Sequence, residues 1–205
     1  MVPELVVATR NKKKVEEIKR MCEGVPVVLL SLDDFPGCPE VEEDAGTFRG
    51  NAVKKALAVS SYTRRPAVAD DSGLEVYSLH GAPGVFSARY AGEEADDEKN
   101  IEKLLYLMEG IEENRRSARF VCSVALAFPD GRVETFEGHA EGRIGRVKKG
   151  AGGFGYDPIF YPAGYERTFA EMAPEEKDTL SHRGMALRKL RVYLAKESAG
   201  ERMQR

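Results

Sequence analysis

Two adjacent carboxylates, Asp70 and Asp71, follow the apolar residues Pro66, Ala67, Val68 and Ala69, and Ser72 and Gly73 precede a second apolar run. The pattern reads as a buried strand that ends on charge, turns at Ser-Gly and leads into another strand. In an open α/β sheet, acids at a strand end face the crevice where ligands bind. Asp-Asp is also a hard oxygen cluster of the kind that holds magnesium through one or two carboxylates plus substrate phosphates. The alternative is an acidic turn that only caps structure. Downstream, Gly81, Pro83 and Gly84 make a rigid turn before Ser87, Ala88, Arg89 and Tyr90. A small-residue loop with one arginine suits an anionic ligand or a tight subunit contact.

Length allows one domain with a substantial core, or one domain split into two lobes, in 205 residues. With 42% hydrophobic and 32% charged residues, the composition is that of a soluble globular chain. A net charge of -3 does not suggest a nucleic-acid surface, so a phosphate site must be built locally from a few cations and backbone N–H groups. Cys22, Cys38 and Cys122 form no C-x-x-C pair, which argues against a disulfide framework and a zinc site. No apolar window reaches the roughly 18 residues of a membrane span, and the first residues, which include Glu4, do not resemble a signal peptide. A reducing cytoplasm is the expected compartment, with no membrane and no nucleic acid as partner.

Leu5, Val6, Val7 and Ala8 read as a short buried strand, broken by Thr9, Arg10 and Asn11. Val15, Ile18 and Met21 then fall at helical spacing behind Lys12, Lys13 and Lys14. Such a junction presents free N–H groups and the positive end of a helix dipole, an anion site without a glycine-rich loop. The alternative is an ordinary turn with a solvated lysine run. Residues 25–30 read as a second strand. An acidic run, Glu40 to Asp44, precedes a helix whose apolar stripe is Phe48, Ala52, Ala56 and Val59. Those acids either stabilise the helix N-terminus or complete a metal site.

Asp96, Asp97 and Glu98 open the next helix, and residues 119–128 form a central strand buried on both faces. A turn at Pro129, Asp130 and Gly131 leads into a hairpin partner over residues 133–139. In the loop GAGGFGYDP, glycines permit close approach to a ligand, Phe154 and Tyr156 offer faces for a base, and Asp157 can accept a hydrogen bond. The alternative is a glycine-rich hairpin with two core aromatics. Residues 168–172 are expected to form a short strand, Ser181 to cap the final helix, and residues 199–205 to fray.

Four segments carry a family resemblance: T-x-N-x-x-K at Thr9, Asn11 and Lys14; EEDAGTFRGNAVKKA; DDSGLEV with GAPGVFSARYAG; and GGFGYDPIF with Lys177 of E-E-K and S-H-R. Together they resemble the inosine/xanthosine triphosphate pyrophosphatase family. The resemblance implies an α/β fold: a single elongated domain over residues 1–205, with two lobes, a mixed twisted central sheet flanked by helices and a central cleft. It also implies a homodimer and a Mg²⁺-dependent hydrolase that converts ITP, dITP and XTP to monophosphate and pyrophosphate. On that basis Thr9, Arg10, Asn11, Lys12, Lys13 and Lys14 hold phosphates, and Ser72 meets phosphate or ribose. Glu42 faces the metal with Asp71, with Glu43 and Glu40 as alternatives, because Asp44-Ala45 stands where the family often has Thr-Gly. Either Asp71 or Asp70 serves as the base. Phe154, Gly155 and Tyr156 hold the purine, and Asp157, Lys177, His182 and Arg183 read its edge.

Overall fold

The computed structural model describes residues 3–92 and 96–198, so the fraying expected for residues 199–205 lies outside the described residues. In chain order the elements are β1 (Glu4–Val7), α1 (Lys12–Met21), β2 (Val28–Ser31), α2 (Phe48–Thr63), β3 (Ala67–Val76), α3 (Asp97–Leu107), β4 (Ser117–Ala127), β5 (Val133–Ile144), β6 (Phe160–Pro162), α4 (Pro174–Leu180) and α5 (His182–Ser198). The strands form one sheet in the order β2-β1-β3-β4-β5-β6. β1 is parallel to β2 and β3, whereas β5 and β6 are antiparallel, so the sheet is mixed, as the resemblance implies. No helix among the described residues is long and apolar enough to cross a membrane.

The chain divides into two compact units. One comprises the chain up to Asp71, Cys122–Glu137 and the chain from Arg183; the other comprises Ser72–Val121 and Gly138–His182. In the first, the strands are covered on both faces, which is why they read as continuous apolar runs rather than alternating ones. Leu5, Val7, Val68, Cys122 and Val124 pack with Ile18 of α1 and Leu187 and Leu190 of α5. Val6, Ala67, Ala69 and Ala125 pack with the α2 stripe Ala52, Ala56 and Val59. The second unit has its own core, in which the Phe120 ring meets Phe160 edge-on at 4.7 Å and stacks over Phe169 at 6.1 Å.

Three local expectations are corrected. β3 does not end at Asp70 and Asp71; it continues as one strand through Ser72 and Gly73 to Val76. Both carboxylates are buried with partners supplied by helices, so the charge does not force the chain into solvent. β2 begins only at Val28, because Val25 N and Val27 N close turns on Cys22 O and Val25 O. The expected strand at residues 168–172 is a 3-10 turn, Phe169–Glu171, closed by a capping box in which the Glu171 carboxylate accepts from Thr168 N at 2.8 Å.

Candidate active site

The start of α1 positions one cation. Asn11 caps the helix, its Oδ1 accepting from Lys13 N at 3.0 Å and Lys14 N at 3.3 Å. Thr9 Oγ1 in turn accepts from Asn11 N at 3.2 Å. The amides of residues 11, 13 and 14, expected to be open to an anion, are thus engaged by the cap itself. Lys12 and Lys13 are exposed, and Arg10 donates to Cys38 O at 3.1 Å. Lys14 alone of these cations turns inward, with Nζ 3.1 Å from Asp70 Oδ2.

Successive side chains of a strand point to opposite faces, and this separates Asp70 from Asp71. Asp70 faces α1 and α5, where Arg183 Nε donates to its Oδ2 at 3.1 Å beside Lys14. Arg183 Nη1 also donates to Glu17 Oε2 of α1 at 2.6 Å. Burial alone would raise the Asp70 pKa, but the charges of Lys14, Arg183 and Lys55 outweigh it and hold this carboxyl well below the usual range.

Asp71 faces α2. Asn51 Nδ2 donates to Asp71 Oδ2 at 2.9 Å, and Lys55 Nζ lies 4.0 Å from Asp71 Oδ1. Asn51 and Lys55 are four residues apart and so share one side of the helix. Asn51 Oδ1 accepts from Ala45 N at 2.9 Å, which anchors the acidic run against α2. Lys55 Nζ reaches Glu43 Oε1 at 2.5 Å and donates to Asp70 O at 2.7 Å. Burial, with the Glu43 charge added, holds the Asp71 carboxyl above the usual range despite Lys55. Two neighbouring carboxylates are thereby driven apart in pKa, the pattern that separates a proton acceptor from a fixed counter-charge.

The acid brought to Asp71 is Glu43, whereas Glu42 is exposed. The expected Asp-Asp oxygen cluster does not form, because the two side chains leave β3 on different faces. Among the described residues no three His, Cys, Asp or Glu side chains converge for a metal. The donor set that does form is Glu43 and Asp71 around the Lys55 ammonium, which shows that this spot accepts a cation. Two hard carboxylates fit magnesium bound with substrate phosphates and water completing its shell. Asn51, Lys55 and Glu17 join the site although no motif in the sequence marks them individually. The signal was the i, i+4 pair Asn51–Lys55 in a helix of small residues, and Glu17 three residues after Lys14.

The second constellation lies in the other unit. Asp157 Oδ2 accepts from Lys177 Nζ at 2.6 Å and from Phe154 N at 2.9 Å. The Lys177 ammonium sits 5.0 Å from the centroid of the half-buried Phe154 ring. A Cβ on Gly153, at φ +71°, would collide with Asp157 Oδ2. One on Gly150 would come within 2.5 Å of the Ala170 backbone. Those two glycines serve close packing inside the protein rather than approach to a ligand. Tyr156 is also corrected: it is 3% exposed, belongs to the core and donates its hydroxyl to Ser87 O at 2.9 Å, so it presents no face to a base. His182 is buried and stacked on Phe120 at 4.6 Å and 9°. Arg183, next in sequence, is buried and donates to Glu17 and Asp70. Ser72 follows Asp71 in β3 and is half-buried.

The carboxylate–lysine cluster on β3 is thus carried by a six-stranded mixed sheet. The chain belongs to the Ham1 family, whose model matches residues 5–193. It is 52% identical over 199 residues to a protein of Desulforamulus reducens named dITP/XTP pyrophosphatase, covering 95% of this chain and 99% of that one. A Geobacter sulfurreducens protein of the same name is 51% identical, over 93% of this chain and 96% of its own. Among solved structures, a HAM1 protein from Coxiella burnetii superposes with a TM-score of 0.87 at 40% identity, over 95% of this chain and 99% of that one. The Staphylococcus aureus Ham1 protein gives 0.85 at 38% identity, over 97% of this chain and 100% of its own.

Proposed function

We propose that this chain hydrolyses dITP, ITP and XTP to the nucleoside monophosphate and pyrophosphate, keeping deaminated purines out of nucleic acids. The observation that carries the reading is the buried Asp71 carboxylate on β3, held by Asn51 and set beside Lys55, which also pairs with Glu43. The names of the relatives support the substrate class. Glu43 and Asp71 would hold Mg²⁺, which supplies charge neutralisation for the triphosphate and acidifies a coordinated water. Lys14 and Lys55 bring positive charge to the phosphates, and Ser72 donates to a phosphate or ribose oxygen. Asp71 takes the proton of the attacking water. The water oxygen bonds to the α-phosphorus, the α–β bridging bond breaks, and pyrophosphate leaves.

Phe154 supplies the ring face for the purine. Lys177 donates to the 6-oxygen of hypoxanthine or xanthine, and Asp157 fixes the ammonium that does so. Adenine would present its 6-amino group to the same ammonium, donor against donor, because lysine has no acceptor. Matched buried hydrogen bonds of this kind support discrimination of about 10⁴-fold. The reading includes a homodimer in the cytoplasm, a compartment in keeping with three buried free cysteines.

Pyrophosphate release from a panel of ITP, dITP, XTP, GTP, ATP and pyrimidine triphosphates tests the proposal. ITP, dITP and XTP should lead the panel, and comparable ATP turnover refutes the base assignment. Binding without release of pyrophosphate would make the protein a nucleotide sensor instead. Excess EDTA should abolish turnover and added magnesium restore it. At low magnesium, kcat/KM should fall on the acid side of neutrality at a pH above the ordinary carboxylate value of about 4, because Asp71 must be ionised and its pKa is raised. Glu43→Gln should move the residual acid limb to lower pH, since it removes a charge that helps burial hold the Asp71 proton. Lys14→Ala should chiefly raise KM, because a phosphate contact made in both ground and transition states is lost.

A further inference from the structure

We propose that Asp97 is a positioning residue that holds the Phe154–Gly155 peptide in the form that accepts a purine base. This rests on the reading of Phe154 as the base platform. Asp97 is the first residue of α3, and its Oδ2 accepts from Gly155 N at 2.8 Å. The preceding amide, Phe154 N, is held by Asp157. Two carboxylates, one from α3 and one from the loop itself, therefore take consecutive N–H groups and hold the two peptide planes that flank the Phe154 Cα. Gly155 has φ +59°, and a Cβ there would meet nothing within 4 Å, so no neighbouring atom crowds the position, and the Asp97 carboxylate is a polar partner of its N–H.

Asp97 belongs to a pattern. Asp97, Asn100 and Lys103 recur at three-residue spacing along one side of α3, and each reaches loop backbone. Asn100 donates to Ala88 O at 3.0 Å and accepts from Ala91 N at 2.7 Å, and Lys103 donates to Tyr90 O at 2.6 Å. Glu98 forms an ion pair with Lys148 on the approach to the glycine loop. Tyr156 closes the set by donating to Ser87 O. One side of α3 thus clamps two loops, and Asp97 is its member that reaches the aromatic loop. Its position in the first turn favours the carboxylate, because the helix N-terminus is electropositive.

The test compares steady-state kinetics on ITP for Asp97→Ala, Asp97→Asn, Phe154→Ala and Glu98→Gln, with amide exchange at Phe154 and Gly155. Asp97→Ala should raise KM about tenfold, the size of a lost hydrogen bond to a charged group, with kcat within about twofold. It should also speed exchange at Gly155 while leaving Tm nearly unchanged. Asp97→Asn keeps an acceptor oxygen and should recover KM to within about threefold. Glu98→Gln changes the neighbouring charge without touching Gly155 and should leave KM alone. An unchanged KM in Asp97→Ala, with a raised KM in Phe154→Ala, overturns the role of Asp97 while the base platform stands. An unchanged KM in both variants overturns the base platform itself. Equal losses in Asp97→Ala and Asp97→Asn, tracking a fall in Tm, would make Asp97 a folding residue and refute the proposal.

Discussion

Asp71→Asn should lower kcat on ITP by about 10²–10⁴-fold, the usual cost of removing a general base, while KM moves much less. That loss corresponds to roughly 3–5 kcal/mol of transition-state stabilisation. Asparagine keeps the shape of the side chain and retains an oxygen for Asn51, so the fold around α2 should survive. What disappears is the charge that takes the water proton and, with Glu43, holds the metal. Asp70→Asn is the contrast. Asp70 is held well below the usual carboxylate range by burial-defying contacts with Lys14 and Arg183, and a carboxylate so strongly ionised is a poor proton acceptor. Its replacement should act mainly on stability and on the placement of Lys14. Rapid-quench measurement of a single turnover separates the two: Asp71→Asn should slow the chemical step itself. A variant at Asp71 that keeps more than about a tenth of wild-type kcat, with Asp70→Asn the slower enzyme, would transfer the base to Asp70.

Local patterns revealed the elements better than the partners. The α2 stripe and the strand-to-helix junction at residues 8–12 follow from periodicity and capping, both of which are local. β3 was harder because two consecutive acids read as the end of a buried strand. Their burial depends on Lys14, Asn51, Lys55 and Arg183, which lie 56, 20, 16 and 113 residues away from the acid each one meets, as the pairs Lys14–Asp70, Asn51–Asp71, Lys55–Asp71 and Arg183–Asp70. No window of sequence contains those distances. The choice among Glu40, Glu42 and Glu43 depended on register in an irregular segment, and the Asn51–Ala45 hydrogen bond anchors that segment. Tyr156 and Phe154 are both aromatic in one motif, yet one is core and the other half-buried, a difference of burial that residue type does not express. His182 and Arg183 are neighbours in sequence, but the boundary between the two compact units passes between them.

The pairing of Arg183 with Glu17 and Asp70 changes what this residue is expected to do. Had it read the base, Arg183→Ala would collapse the ITP-to-ATP ratio and leave stability almost untouched. The residue is instead 2% exposed, its guanidinium lying 2.6 Å from Glu17 Oε2 and 3.1 Å from Asp70 Oδ2. Removing it takes a shared cationic partner from two buried carboxylates, Glu17 and Asp70, and leaves Asp70 paired with Lys14. Breaking a buried ion pair from one side costs about 3–5 kcal/mol, because the surviving charge is left uncompensated. Arg183→Ala should therefore lower the unfolding free energy by about that amount at pH 7, read from urea titration. The pH dependence gives a second signature. Asp70 has a depressed pKa in the folded state, so its pairing contributes stability that is present above its unfolded value of about 4 and is lost as pH falls toward the lower folded value. The gap between wild type and variant should accordingly narrow from pH 7 to pH 3. A double variant, Glu17→Gln with Arg183→Met, removes the charge of one acid that Arg183 paired and restores apolar volume, and should recover part of the loss. Kinetics at a temperature where the variant stays folded should show a raised KM for all triphosphates through a displaced Lys14, with the ITP-to-ATP ratio kept within about threefold, well short of the ~10⁴-fold that matched base contacts can reach. A collapsed ratio with wild-type stability would return Arg183 to the base.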